Sequence, residues 1–126
     1  MLDHFGINCA DLVASSAFYD AVLRELGFSR QLDYTMAIGY GTDGHAAFWI
    51  SAWEGTETSR EVHCAFTAAS EGEVRAFYDK AIELGAESLH APRLWPEYRP
   101  GYFGAFVRDP DGNNVEAVFH QAVPDA

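Results

Sequence analysis

His4, His63 and Glu116 are the residues of this 126-residue chain whose types and placing could do chemistry together. Two imidazoles and one carboxylate suit octahedral or trigonal sites for Fe(II), Mn(II), Zn(II) or Ni(II), with positions left open for a substrate. The histidines are related by more than type. They stand 59 positions apart, and the same offset carries Ala17-Phe18-Tyr19-Asp20 onto Ala76-Phe77-Tyr78-Asp79. Leu23-Arg24-Glu25-Leu26-Gly27 returns as Ile82-Glu83-Leu84-Gly85 with a single residue dropped. A four-residue match alone could be chance, but a histidine far upstream in the same register points to two copies of one supersecondary unit. Histidines at equivalent places in two copies would meet near a pseudo-twofold axis, where one metal ion fits between them.

The elements that must position these groups follow from the hydrophobic pattern. From Asp3 to Cys9, Phe5, Ile7 and Cys9 alternate with His4, Gly6 and Asn8, which predicts a strand with one face toward a helix and one toward open space. Asp11 can cap the next helix, in which Leu12, Tyr19, Leu23 and Leu26 recur at helical spacing, and Gly27 ends it. Strands are predicted at Phe28–Asp33, Met36–Gly41 and His45–Ser51, with Thr42-Asp43-Gly44 as the turn before the last. In the second copy Val62, Cys64 and Phe66 alternate with His63, Ala65 and Thr67. Ser70 and Glu73 have capping-box spacing and open a helix that runs to Gly85. Strands are then predicted at Ala86–His90, Tyr102–Arg108 and Asn113–Phe119, with Asp109-Pro110-Asp111-Gly112 as a tight turn. Each unit is strand, helix and three strands. Trp53 to Arg60 reads as the linker, and Pro124-Asp125-Ala126 as a frayed end.

Glu116 is placed by matching the two turns. Asp43-Gly44-His45-Ala46-Ala47-Phe48 lies on Asp111-Gly112-Asn113-Asn114-Val115-Glu116, so Glu116 takes the place of Phe48. It alternates with Val115 and Ala117 in a strand that is mostly apolar. A carboxylate on the inward face of a barrel-like sheet is costly unless paired or metal-bound.

Composition bounds the rest. The chain has the length of one domain, residues 1–126, with a first module over about 1–55 and a second over about 60–122. Hydrophobic residues make up 48%, too many for disorder. No apolar run is long enough to span a membrane, and no basic-then-apolar leader opens the chain, so a cytoplasmic protein is expected. Cys9 and Cys64 sit in apolar runs and are expected to be buried free thiols. The net charge of −11 disfavours nucleic acid and anionic membranes as partners. A small-molecule ligand or substrate is the expected partner.

Several stretches together resemble the vicinal oxygen chelate superfamily, which includes glyoxalase I, extradiol dioxygenases, fosfomycin-resistance thiol transferases and bleomycin-binding proteins. They are Asp3-His4-Phe5-Gly6-Ile7, Ala17-Phe18-Tyr19-Asp20 leading to Leu26-Gly27-Phe28, His63-Cys64-Ala65-Phe66, and Asp109-Pro110-Asp111-Gly112-Asn113-Asn114-Val115-Glu116. The resemblance implies an α+β fold of two βαβββ modules forming a curved, barrel-like mixed sheet around a cavity, helices outside. It puts His4, His63 and Glu116 at the family's metal-ligand positions. It also implies a homodimer, with ligands drawn from one chain or from two. Glyoxalase I carries a second glutamate where the turn alignment puts Phe48, so its usual reaction is not expected. What remains is a divalent-metal-dependent lyase, isomerase, transferase or dioxygenase acting on a small oxygenated molecule. The alternative is a metal-free protein that sequesters a small molecule, as bleomycin-binding relatives do.

The segment from Arg93 to Phe103 is rich in proline and aromatics. Tyr98, Arg99 and Tyr102, with Phe48, are the candidate substrate-binding residues; an arginine there could hold an anionic group, and a packed loop would also account for the composition. Trp49 and Trp53 fit core or cavity wall equally. His45, His90 and His120 have no partner that the sequence identifies.

Overall fold

A computed structural model describes residues 1–55 and 59–123. The middle of the expected linker and the terminal Pro124-Asp125-Ala126 lie outside the described residues. The elements are β1 (Phe5–Cys9), α1 (Leu12–Arg24), β2 (Ser29–Asp33), β3 (Ala37–Thr42), β4 (His45–Ala52), β5 (His63–Thr67), α2 (Glu71–Glu83), β6 (Ser88–Leu94), β7 (Tyr102–Arg108) and β8 (Asn114–His120). The two βαβββ modules are thus present, each a four-stranded mixed sheet with its helix. The strand orders are β1-β4-β3-β2 and β5-β8-β7-β6, so each module's first strand runs parallel to its own last strand. The two sheets are separate.

Local signals account for the boundaries. The Asp11 carboxylate accepts the Ala14 N–H at 3.1 Å and starts α1, while Gly27 follows the helix at φ +85°. Ser70 Oγ accepts the Glu73 N–H at 3.1 Å; the Glu73 carboxylate reaches back to the Ala69 N–H at 2.9 Å, one residue before the usual capping-box partner. The strand expected at Ala86–His90 instead runs from Ser88 to Leu94 and includes Pro92. It lies at the edge of its sheet, where a residue without an N–H is tolerated, and the ladder steps from His90↔Phe106 to Arg93↔Gly104.

One hydrophobic cluster joins both modules behind the sheets. Phe18, Tyr19, Val22 and Leu23 of α1 and Val74, Phe77 and Ala81 of α2 are buried against Ile7, Cys9, Ile38, Tyr40, Phe48 and Ile50, and against Phe103, Ala105, Val107, Val115 and Ala117. Both cysteines are free, and burial pushes each thiol up to about 11. The Asp109–Gly112 turn locks the modules together. The Asp109 carboxylate accepts the Tyr19 hydroxyl at 2.6 Å, and Asp111 accepts the Ala10 N–H at 3.0 Å and Ser15 Oγ at 3.2 Å.

The strand registers correct the placing of Phe48. In the second module β7 and β8 pair without a slip from Arg108↔Asn114 to Tyr102↔His120. In the first, Gly41 pairs Ala46 but Tyr40 pairs Phe48, so Ala47 is an extra residue in β4, a β-bulge. Beyond a bulge every side chain changes face. In the parallel ladders Gly6 pairs Trp49 and Ala65 pairs Glu116, and Gly6 and Ala65 are equivalent in the repeat. Trp49, not Phe48, therefore stands where the second module has Glu116. Phe48 turns to the helix side, its ring centroid 5.0 Å from those of Tyr19 and Phe66.

Candidate metal and ligand site

Glu116 is the most buried acidic side chain of the described residues, 1% exposed. It lies on the face of β8 away from the helices, opposite Phe106 of β7 and Ala65 of β5. Gly104 makes room for it, because a Cβ there would lie 3.2 Å from Glu116 Oε2 and from Tyr102 Cε1. Into that space the Tyr102 hydroxyl donates to Oε2. Oε1 lies 2.9 Å from His63 Nε2. Burial pushes the carboxyl above its ordinary range, against the opposing pull of Tyr102 and His63. Burial and the Glu116 carboxylate likewise raise the Tyr102 phenol.

The proton positions around His63 define what the pair can accept. Nδ1 lies 3.1 Å from the Asn114 carbonyl oxygen, which can only accept, so Nδ1 carries a hydrogen. In a neutral ring Nε2 then presents a lone pair to Glu116 Oε1. Two acceptors at 2.9 Å need a shared proton or a cation between them. A backbone carbonyl on Nδ1 with Nε2 free is the usual arrangement of a metal-bound histidine. The N···O separation also matches neighbouring ligands on an octahedral ion, which bonds of about 2.1 Å place about 3.0 Å apart. Among the described residues, the buried polar side-chain atom without a partner is Asn114 Oδ1. Asn114 alternates onto the Glu116 face and pairs with His63 in the ladder. The donor set therefore fits a divalent cation.

His4 stands apart from this pair. Its Nδ1 lies 2.8 Å from the Asp3 carboxylate, which that contact holds below its ordinary range. His4 and His63 line one cavity of about 380 Å³, with Phe48 and Phe66 in its wall. Among the described residues, no three His, Cys, Asp or Glu side chains converge so as to hold an ion within one chain. His4 also borders a second, more open cavity of about 570 Å³ with Asp3, His45, Trp49 and Ser51.

Of the other candidates, Tyr102 reaches Glu116 directly. Tyr98 meets it edge to face at 5.2 Å and stacks on Trp95 at 5.3 Å. Arg99 is exposed, and its backbone N–H closes a turn on the Trp95 carbonyl at 3.3 Å. The engaged guanidinium of this loop is Arg93, 3.4 Å above the Trp95 ring and paired with Glu97. Trp95 is buried and donates to the Gly104 carbonyl at 3.0 Å. His90 meets Trp95 and Phe106 edge on, and His120 meets Tyr102 at 5.3 Å. The sequence marks this segment as unusual through its prolines and aromatics; the roles of Trp95 and Arg93 depend on β6 running to Leu94.

Residues 1–117 match the model of the glyoxalase/bleomycin resistance protein/dioxygenase superfamily. The chain belongs to that superfamily, also called the vicinal oxygen chelate superfamily. Among solved structures it is similar to a glyoxalase/bleomycin resistance protein from Albidiferax ferrireducens T118, at 24% identity over 94% of this chain and 97% of that one, TM-score 0.78. A Bacillus halodurans protein provisionally named a glyoxalase is 28% identical over 94% and 95%, TM-score 0.75. A family enzyme from Burkholderia phytofirmans PsJN is 24% identical over 95% and 98%, TM-score 0.74. No curated protein matches the chain.

Proposed function

We propose that the protein is a divalent-metal-dependent enzyme acting on a small oxygenated molecule, with His4, His63 and Glu116 as metal ligands. The observation that carries this reading is the His63–Glu116 pair, a buried carboxylate bonded by Tyr102 and 2.9 Å from His63 Nε2, with Nδ1 of that ring on the Asn114 carbonyl. A bound divalent ion would supply Lewis acidity to vicinal or enolate-like oxygens. Tyr102 fixes the carboxylate, and the Asn114 carbonyl fixes the His63 tautomer. Phe106, opposite Glu116 in the ladder, is buried, and its ring lies nearly parallel to that of His63 with centroids 6.0 Å apart.

Of the three residues, His63 and Glu116 meet within one chain, so the reading includes a homodimer in which His4 of a second copy would complete the set. Trp49 at the place equivalent to Glu116 leaves the first module without a carboxylate there, which supports the expectation that the glyoxalase I reaction is not the one catalysed. The aromatic wall and the net charge of −11 favour a second reading, metal-free binding of a small molecule. Metal analysis of untagged protein purified without chelators separates the two. About one divalent ion per chain supports the enzyme; a metal-free protein that also fails to take up added Zn(II), Mn(II), Fe(II) or Ni(II) supports sequestration.

A further inference from the structure

We propose that Tyr102 is a positioning residue that makes Glu116 a one-oxygen ligand, by holding Oε2 on the β7 side and leaving Oε1 for an ion beside His63. The inference rests on the metal reading above and goes beyond it to how the carboxylate is presented. β8 lies between β5 and β7. The carboxylate spans that strand: Oε1 is 2.9 Å from His63 Nε2 in β5, and Oε2 accepts the hydroxyl of Tyr102 in β7. An ion that shares Oε1 with His63 therefore sits on the β5 side, while Oε2 is engaged on the other.

Tyr102 reaches Oε2 from a distance along its strand. Tyr102, Gly104 and Phe106 alternate onto the Glu116 face, and Phe106, not Tyr102, stands opposite Glu116. The phenol must cross position 104 to arrive, where a Cβ would stand 3.2 Å from both Glu116 Oε2 and Tyr102 Cε1. Glycine keeps that path clear. The approach is fixed from the loop before β7. The Trp95 N–H donates to the Tyr102 carbonyl at 2.7 Å, and its indole donates to the Gly104 carbonyl at 3.0 Å. Tyr98 and His120 meet the Tyr102 ring edge to face at 5.2 and 5.3 Å. The aromatic loop thus serves to hold one hydroxyl on one carboxylate oxygen. A phenol is a neutral donor, so it fixes the carboxylate without adding a charge that competes with the ion. One carboxylate oxygen with imidazole nitrogens suits Zn(II) and the transition ions, whereas a two-oxygen grip is common for Ca(II). Released by Tyr102, Glu116 can turn both oxygens to the ion.

The test uses full-length protein stripped with chelator and then loaded with Zn(II). The separation of the two carboxylate stretching bands in the infrared distinguishes one-oxygen from two-oxygen ligation, and Glu116→Gln assigns the bands by removing them. The native protein should show the wide separation of a one-oxygen ligand. Tyr102→Phe keeps the ring, and it should narrow that separation and weaken Zn(II) binding roughly tenfold or more by calorimetry. Before Zn(II) is added, the ¹⁵N resonances of the His63 ring should also move in Tyr102→Phe, because the released carboxylate leaves Nε2. Zn(II) bound to Tyr102→Phe with native affinity and native band separation would overturn the proposal. So would His63 resonances that stay in place in the metal-free variant. A native protein that takes up no Zn(II) would defeat the metal reading and the one-oxygen ligand together, and the His63 resonances would still decide whether Tyr102 holds the carboxylate.

Discussion

Glu116 is held in a place where its charge is expensive, and the pH dependence of the metal-free protein should show it. Burial raises its carboxyl above the ordinary 4.5, with Tyr102 and His63 only partly opposing. A group whose folded value is raised stabilises the fold below the unfolded value, and that contribution is lost as pH rises through the folded value. Urea unfolding of chelator-stripped protein should therefore show stability falling from about pH 4.5 upward relative to Glu116→Gln, whose amide cannot ionise. Parallel pH profiles for the two proteins would contradict the burial argument. At this scale the sequence identifies His63 and Glu116 through the repeat and the strand alternation. It does not identify Tyr102 as the partner of Glu116, because that contact spans β7 and β8 and depends on the space Gly104 leaves.

The element that decides the character of the first module is β4 with its single extra residue. Matching turn to turn places Phe48 at the Glu116 position, and that match fails because Ala47 bulges between the turn and the site. A bulge has no reliable signature in one sequence, and Ala-Ala-Phe-Trp alternates equally well in either register. Two substitutions distinguish the faces. Phe48→Glu puts a carboxylate against Tyr19, Tyr40 and Phe66 and should cost about 4 kcal/mol or more. Trp49→Glu opens to the cavity and should cost under about 2 kcal/mol. Denaturant unfolding of both variants measures this, and equal losses would mean that the faces are misassigned. The remaining elements are legible from caps, alternation and turn residues. The exception is the second half of β6, where Pro92 reads as loop although an edge strand accommodates it.

In the whole molecule, the two modules are joined by the Asp109–Gly112 turn, whose Asp109 carboxylate is buried. Asp109 accepts the Tyr19 hydroxyl, the N–H groups of Asp111 and Asn113, and the Asn113 amide. Tyr19→Phe removes the one bond of these that crosses between modules and should lower stability by about 1–3 kcal/mol, read by thermal and urea unfolding. An unchanged stability would mean that apolar packing and the Asp111 bonds to Ala10 and Ser15 align the modules without the Tyr19–Asp109 bond. The repeat in the sequence makes the two-module plan visible; that the sheets stay separate is not visible, because it depends on β1 and β5 each pairing only with its own module's last strand. Among the described residues His4, His63 and Glu116 do not converge within one chain, and the proposed reading therefore draws the third ligand from a second copy. The most direct test of the metal reading is calorimetric titration of chelator-stripped protein with Zn(II) and with Ni(II) at neutral pH, comparing the native chain with Glu116→Gln and His63→Ala. About one ion per chain is expected for the native protein, and each substitution should weaken it by roughly 100-fold or more; native-like affinity in both variants would contradict the assignment.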